Sequence, residues 1–255
     1  MARRDRARRL ASRAVQIGFL LALFLLWYLA TNVWGVNKLL LPNPISVWRQ
    51  FVDVLRSGAF LPDLRVTASE FAAAFVLATT SGTIVGYFIS RSRYFTRVFE
   101  PLLAGIFSIP IILFLPLYVL FFGLGPASKI ALGTTISFFP IALATIAGFA
   151  NVDRALVAAA RSMGASNYQL FRYVLLPAAL PVIMGGLRIG FTICLLSILG
   201  SETIASLAGL GHHIVELAED MEMSRMFAYI VFVVAMVALL NFAVSYLEAR
   251  GRRHQ

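Results

Sequence analysis

Apolar stretches of about twenty residues alternate along this chain with short polar segments. They fall at about 15–34, 67–90, 101–123, 129–150, 179–200 and 226–247. A helix of roughly 20 residues crosses a hydrocarbon layer about 30 Å thick. The pattern therefore predicts an all-α integral membrane protein with six transmembrane helices. The third stretch reads FSIPIILFLPLYVLFFGLG and contains Pro110 and Pro116. Proline removes a backbone donor and bends a helix. In lipid a bend is tolerated only where protein or a water-filled cavity satisfies the freed carbonyls. Pro110 and Pro116 thus mark either the lining of a pathway or a structural kink. The fifth stretch carries Gly185, Gly186 and Gly190, which suit close contact between membrane helices.

Composition agrees with lipid as the main solvent. Of the 255 residues, 60% are hydrophobic and 13% charged, and mean hydropathy is +0.83. Soluble domains run at about 25% charged. The one cysteine, Cys194, excludes an intrachain disulfide and a cysteine metal cage; in an apolar run it reads as a packing residue. The first apolar stretch is too long for a signal-peptide core and lacks a small-x-small cleavage site, so it is expected to stay as a helix.

The net charge of +10 is distributed by topology. Placing the N-terminus inside puts Arg3, Arg4, Arg6, Arg8, Arg9 and Arg13 in the cytoplasm. Arg91, Arg93 and Arg97, then Arg154, Arg161 and Arg172, and finally Arg250, Arg252 and Arg253 join them. Lys38, Arg49, Arg56, Arg65, Lys129 and Arg225 fall outside. This excess of inside cations is what the positive-inside rule expects, with both termini cytoplasmic. The arginine arm flanks a membrane helix, where anionic lipid attracts it, so no nucleic-acid partner is expected.

Outside, Val47, Phe51, Val54 and Leu55 recur at helical spacing after two prolines, which predicts a short interfacial helix. The last outside segment, 201–225, is acidic and includes Glu202, Glu216, Glu219, Asp220 and Glu222. It reads as a solvated face toward an extracytoplasmic partner. His212 and His213 are adjacent, so they point to different faces of a helix, and no metal site is expected. Glu70, at the outer end of the second stretch, is expected to be solvated at the interface. Arg188 lies inside the fifth stretch. It either snorkels to the interface, pairs structurally, or meets an anionic solute.

A polar segment, 153–177, reads DRALVAAARSMGASNYQLFRYVLLP. Asp153 can cap a helix of strong helix formers, Ala155 to about Met163. Gly164 then ends or bends that helix. Ser166 can cap a second one, and Pro177 can start the next span, where its missing donor costs nothing. Two short helices meeting at a corner of small residues are expected. Taken alone, the segment is either an amphipathic surface loop or a docking element.

The spacing from Ala159-Ala160 through Gly164 to Val174-x-Leu176-Pro177 resembles the docking loop of binding-protein-dependent ABC importer permeases. Within that superfamily the chain resembles the nitrate, sulfonate and taurine branch. Leu41-Pro42-Asn43-Pro44-x-x-Val47-Trp48, Ser108-Ile109-Pro110, Phe122-Gly123-Leu124-Gly125, Leu180-Pro181, Gly186-Leu187-Arg188 and Glu202 before Gly209-Leu210-Gly211 all match. The likeness spans about 15–250. One departure is Ala158, where the family motif usually has glutamate. The resemblance implies a type I importer permease fold with cytoplasmic coupling helices between the fourth and fifth spans. It implies a basic arm at 1–14, a permease domain at 15–250 with its coupling loop at 153–177, and a tail at 251–255. It also implies a homodimer in the bacterial inner membrane, served by an extracytoplasmic substrate-binding protein and by ABC ATPase subunits that hold ATP and magnesium. This chain would bind no cofactor. The solute would be small and anionic, such as a sulfonate, taurine or nitrate. Ala158, Ala159, Ala160, Arg161, Gly164 and Ala165 would dock the ATPase. Pro110, Pro116, Arg188 and Glu202 are candidates for the translocation path.

Two other classes fit the sequence less well. A standalone secondary transporter or channel would show internal repeats or midplane relay charges, and neither stands out. An enzyme would need a nucleophile–base or metal set within the spans, and the three histidines all lie outside them. No phosphate-binding Gly-x-x-x-x-Gly-Lys-Ser/Thr loop occurs, so ATP hydrolysis is not expected of this chain.

Overall fold

The structure is a computed structural model describing residues 2–251, with side chains described from 15 to 246 except 17 and 20. The arginines of the arm at 1–14 and those of the tail lie outside the described side chains. Every regular element among the described residues is helical. The chain forms two compact units, one of Met1–Phe60 with Ile214–Val234, the other of Leu61–His213 with Ala235–Gln255.

The first unit contains α1 (Ala2–Asn32) and α2 (Pro44–Ser57). Asn43 caps α2 by accepting from the Ile45 N–H at 2.8 Å, and Pro44 occupies its first turn. Gly58 closes the helix in the left-handed region at φ 68°. Trp27 Nε1 donates to the Pro42 carbonyl at 3.0 Å, and Asn43 Nδ2 donates to Asn32 Oδ1 at 2.9 Å. The Leu-Pro-Asn-Pro turn is thereby tied to α1. Val47 and Val54 are buried on one face of α2, while Trp48 and Leu55 stay exposed. This is the amphipathic helix the spacing predicts.

The second unit is built on α3 (Leu61–Ser90), α6 (Pro126–Ala150) and α9 (Leu176–Ile204). Between them run α4 (Arg93–Phe107), α5 (Leu115–Phe122), α7 (Arg154–Ser162) and α8 (Asn167–Leu170); α10 (Leu210–Glu219) and α11 (Met223–Gly251) are each divided between the two units. The buried positions of α3 are Thr67, Glu70, Ala74, Ala78, Gly82 and Gly86. Their steps of three and four draw one stripe along the helix. A Cβ on Gly86 would come within 2.7 Å of the Ala142 carbonyl, and one on Gly82 within 3.0 Å of the Phe138 carbonyl. Contacts thus advance in the same direction on α3 and α6, which run parallel. Gly148 meets Ala179, and Gly133 meets Ile198, so α9 runs antiparallel to α6. Small residues let these backbones approach, since lipid offers little hydrophobic drive between helices.

Among the described residues, four helices are long and apolar enough to cross a membrane: Leu61–Ser90, Pro126–Ala150, Asn167–Ile204 and Met223–Tyr246. Arg93–Phe107 and Ile111–Phe122 make a fifth if that pair, bent by 71°, is one span. The expected first span is helical, but among described residues its apolar part is Leu21–Asn32. The third stretch is sharper than a kink. It breaks after Phe107, and Pro110 opens a 3₁₀ turn over Ile111–Phe114. Pro116 sits in the first turn of α5, where no donor is missed. Leu115 and Ile111 pack with Leu132 and Phe139 of α6, and the Tyr118 hydroxyl donates to Thr135 Oγ1 at 2.8 Å.

The fifth span also begins earlier than its hydropathy suggests. The second short helix does not stop at Pro177. It continues through a π turn over Phe171–Leu175 into α9. The Leu176 N–H bonds five residues back, to Phe171. That wider turn eases the clash between a proline ring and the preceding turn, so Pro177 sits inside a continuous helix.

Candidate functional site

One end of the α3–α6–α9 bundle carries the small-residue corner. Asp153 accepts from the Ala155 N–H at 2.8 Å and starts α7. The helix closes by two bonds, Gly164 N–H to the Arg161 carbonyl and Ala165 N–H to the Ala160 carbonyl, each at 3.0 Å. This double closure requires a left-handed residue between them, and Gly164 supplies it at φ 78°. Ser166 then caps α8 through a reciprocal bond with Gln169. No residue of α7 enters the core. Ala158, Ala159, Arg161 and Gly164 are exposed, Ala160 and Ala165 half-buried. Nothing lies within 4 Å of where a Gly164 Cβ would sit.

The corner is anchored by aromatic rings. Tyr87 at the end of α3, Phe149 at the end of α6 and Phe171 after α8 pack together, with centroids 5.1 Å and 5.3 Å from Tyr87. A cavity of about 500 Å³ beside them is lined by Arg91, Arg161 and Asn167 among others. Arg161 donates to Asn167 Oδ1 at 2.7 Å, which bridges α7 to α8 across the corner.

The opposite end of the same bundle holds charges that the pattern of stretches concealed. Glu70 is 1% exposed, Lys129 0% and Glu202 1%. Glu70 is therefore not solvated at an interface. Lys129 does not belong to an outside loop: it sits in the first turn of α6, donating to the Leu124 and Gly125 carbonyls. Its ammonium is the countercharge to both Glu70 and Glu202. Glu202 lies in α9, not in the acidic segment, and accepts from Thr67 Oγ1 at 2.7 Å and from the Gly211 N–H at 2.8 Å. Thr67 Oγ1 in turn accepts from the Leu210 N–H at 3.0 Å. Much of 201–225 is helix α10, and His213 Nδ1 lies 4.0 Å from Asp63 Oδ2. A charge inside an apolar run was the available signal for this cluster.

The path candidates do not converge. Pro110, Pro116 and Arg188 are exposed, whereas Glu202 is enclosed. Gly186 and Gly190 make the expected close contacts with α6, but nothing lies near Gly185. Cys194 packs with Ala74 and Ile198.

Residues 78–253 match the family described as "binding-protein-dependent transport system inner membrane component". The taurine transport system permease protein TauC of Escherichia coli is 29% identical over 92% of this chain and 88% of its own length. The riboflavin transport system permease protein RibX of Chloroflexus aurantiacus is 30% identical over 75% and 72%. A putative aliphatic sulfonates transport permease protein SsuC of Bacillus subtilis is 28% identical over 88% and 82%. Among solved structures, an amino acid ABC transporter superposes with TM-score 0.63 at 20% identity, over 80% of this chain and 98% of that one. An inward-facing MetNI methionine ABC transporter gives 0.57 at 23%, over 73% and 91%. The fold is that of type I ABC importer permeases. The chain belongs to the matched family, as an inner-membrane, multi-pass permease of an ABC importer, and not as a standalone transporter or channel.

Proposed function

We propose that this permease carries a small sulfonated solute, of the taurine or alkanesulfonate class, inward across the inner membrane. It would do so as a homodimer, fed by an extracytoplasmic binding protein and driven by two ATPase subunits. The observation that carries the coupling is the α7 corner. It offers exposed Ala158, Ala159, Arg161 and Gly164 with no core role of their own, and small side chains let a partner's groove approach closely. Ala158 stands where the docking motif usually has glutamate, so of the six residues proposed to dock only Arg161 is charged. ATP and magnesium would sit on the partner, since the sequence carries no phosphate-binding loop.

The orientation follows from charge. The corner end of the bundle holds Arg91, Arg154 and Arg161, so it faces the cytoplasm together with both termini. The arm at 1–14 meets anionic lipid there, and the permease domain spans 15–250 up to the tail at 251–255. ATP binding would then move α7 and, through the continuous α8–α9 helix, bias the assembly between two states. Exposed Arg188, Pro110 and Pro116 are candidates for the path that a second copy would complete.

The sulfonate class rests on the names of two relatives; the RibX relative makes riboflavin the rival cargo. Co-expression with the neighbouring ATPase and binding protein, followed by uptake of labelled taurine, ethanesulfonate and riboflavin into proteoliposomes, tests both parts. ATP-dependent accumulation of a sulfonate is expected. Accumulation of riboflavin alone overturns the substrate class, and uptake without ATP overturns the coupling.

A further inference from the structure

Two guanidiniums line one cavity with no acid beside them. The space of about 500 Å³ at the ends of α3 and α6 is lined by Arg91 and Arg161, and by no Asp or Glu. Neither arginine has an ion pair among the described residues. Arg161 donates to the neutral Asn167 Oδ1 at 2.7 Å, which leaves its charge uncancelled. That bond occupies the carbonyl side of the Asn167 amide. Its amino group makes no bond among the described residues and adds another donor to the cavity.

Much of the remaining wall is aromatic. Tyr87, Phe149 and Phe171 form the ring cluster, and Tyr168, 72% exposed, also lines the space. The volume lies in the range of small-molecule sites. Guanidinium N–H groups match the oxygens of a phosphate or a similarly shaped sulfonate, while rings cover an apolar body. A metal cation finds no carboxylate there.

Position agrees with this chemistry. Arg91 follows Ser90, the last residue of α3, and Phe149 precedes Ala150, the last residue of α6. The cavity therefore lies where two spans end, at the depth of lipid headgroups.

We propose that Arg91 and Arg161 form a binding site for an oxyanion, phosphate or sulfonate, attached to an apolar body. Its two sources are an anionic phospholipid of the surrounding leaflet and a free organic sulfonate released after import. Either would bridge the end of α3 to α7 through one anion and brace the corner against the bundle. The link to coupling and the sulfonate source rest on the importer function proposed above; occupancy of the cavity does not.

The test uses the full chain with Tyr168→Cys in phosphatidylcholine nanodiscs and reads the rate of modification by N-ethylmaleimide. Cys194, the one native cysteine, is buried and does not compete. Replacing part of the lipid with phosphatidylglycerol probes the headgroup. Adding hexanesulfonate to discs of phosphatidylcholine alone probes the free anion. An occupied cavity should slow the reaction about tenfold when the ligand stands at about ten times its dissociation constant. The arm that slows it identifies the source. The slowing should vanish in Arg91→Gln and persist in Arg93→Gln. Arg93 is also exposed but does not line the cavity, so the pair separates a site from a charged bilayer surface. Unchanged rates in both arms, or slowing that survives Arg91→Gln, would overturn the site. Protection by added ATPase alone would also overturn it, since the guanidiniums would then answer an acid of that partner. Slowing in a chain whose assembled transporter imports no sulfonate counts against the proposed function and leaves the site standing.

Discussion

Gly186 of α9 lies against Ala144 of α6 so closely that a Cβ on the glycine would overlap the alanine methyl. One residue earlier, Gly185 has nothing within 4 Å of the same position. Gly186→Val should therefore cost at least about 1–3 kcal/mol, the usual scale of overpacking, while Gly185→Ala should be close to neutral. Thermal unfolding of the two variants in the same detergent reads the difference. Equal melting temperatures would mean that α6 and α9 do not pack as described.

Lys129 answers two buried carboxylates. Lys129→Met should destabilise the fold by about 3–5 kcal/mol, because removing one partner strands the other charges in a low-dielectric site. Adding Glu70→Gln removes one of the stranded charges, so the double variant should recover part of the loss. Non-additivity in a double-mutant cycle is the measurement; strict additivity would mean that Lys129 and Glu70 are not coupled.

Asp153 starts a nine-residue helix that has no core residues to hold it. Loss of the cap in Asp153→Ala should cost about 1 kcal/mol of local helix stability. Global melting should barely move, since the helix lies outside the core, but recovery of the ATPase on co-purification should fall. Asp153→Asn should retain both.

Gly164 separates two effects. Gly164→Ala meets no neighbour, so only the left-handed backbone resists it, at about 1 kcal/mol. ATP-driven uptake should be modestly reduced. Gly164→Arg adds bulk where a partner would approach and should abolish uptake while insertion into the membrane is normal. Full uptake in the arginine variant would remove the corner from the docking surface.

Much of this was legible in the chain because its signals are local. The amphipathic spacing of Val47, Phe51 and Val54, the caps at Asp153 and Ser166, and the glycine at 164 each act within a turn or two of themselves. The same holds for membrane class, where 60% hydrophobic composition and stretches of about twenty residues leave a helical bundle in lipid as the solution that satisfies the backbone. The family motif is local too: small residues at fixed spacing around one bend.

What escaped the sequence was set by packing between distant segments. The sequence pattern starts the fifth span at Pro177, but the π turn lets the helix extend back through it. It also makes one span of the third stretch, where the chain breaks between Phe107 and Ile111. Glu70, Lys129 and Glu202 read one at a time as an interfacial acid, a loop cation and an acidic-loop residue. They became one buried network only when the parallel α3 and α6 and the antiparallel α9 brought 67–70, 129 and 202 to the same end of the bundle. Composition and periodicity determined that this chain is a helical membrane protein with an exposed small-residue corner at Gly164. Which charges meet was decided by helix direction and by glycines that let backbones touch, because the energy of a buried charge depends on neighbours that lie far away in sequence.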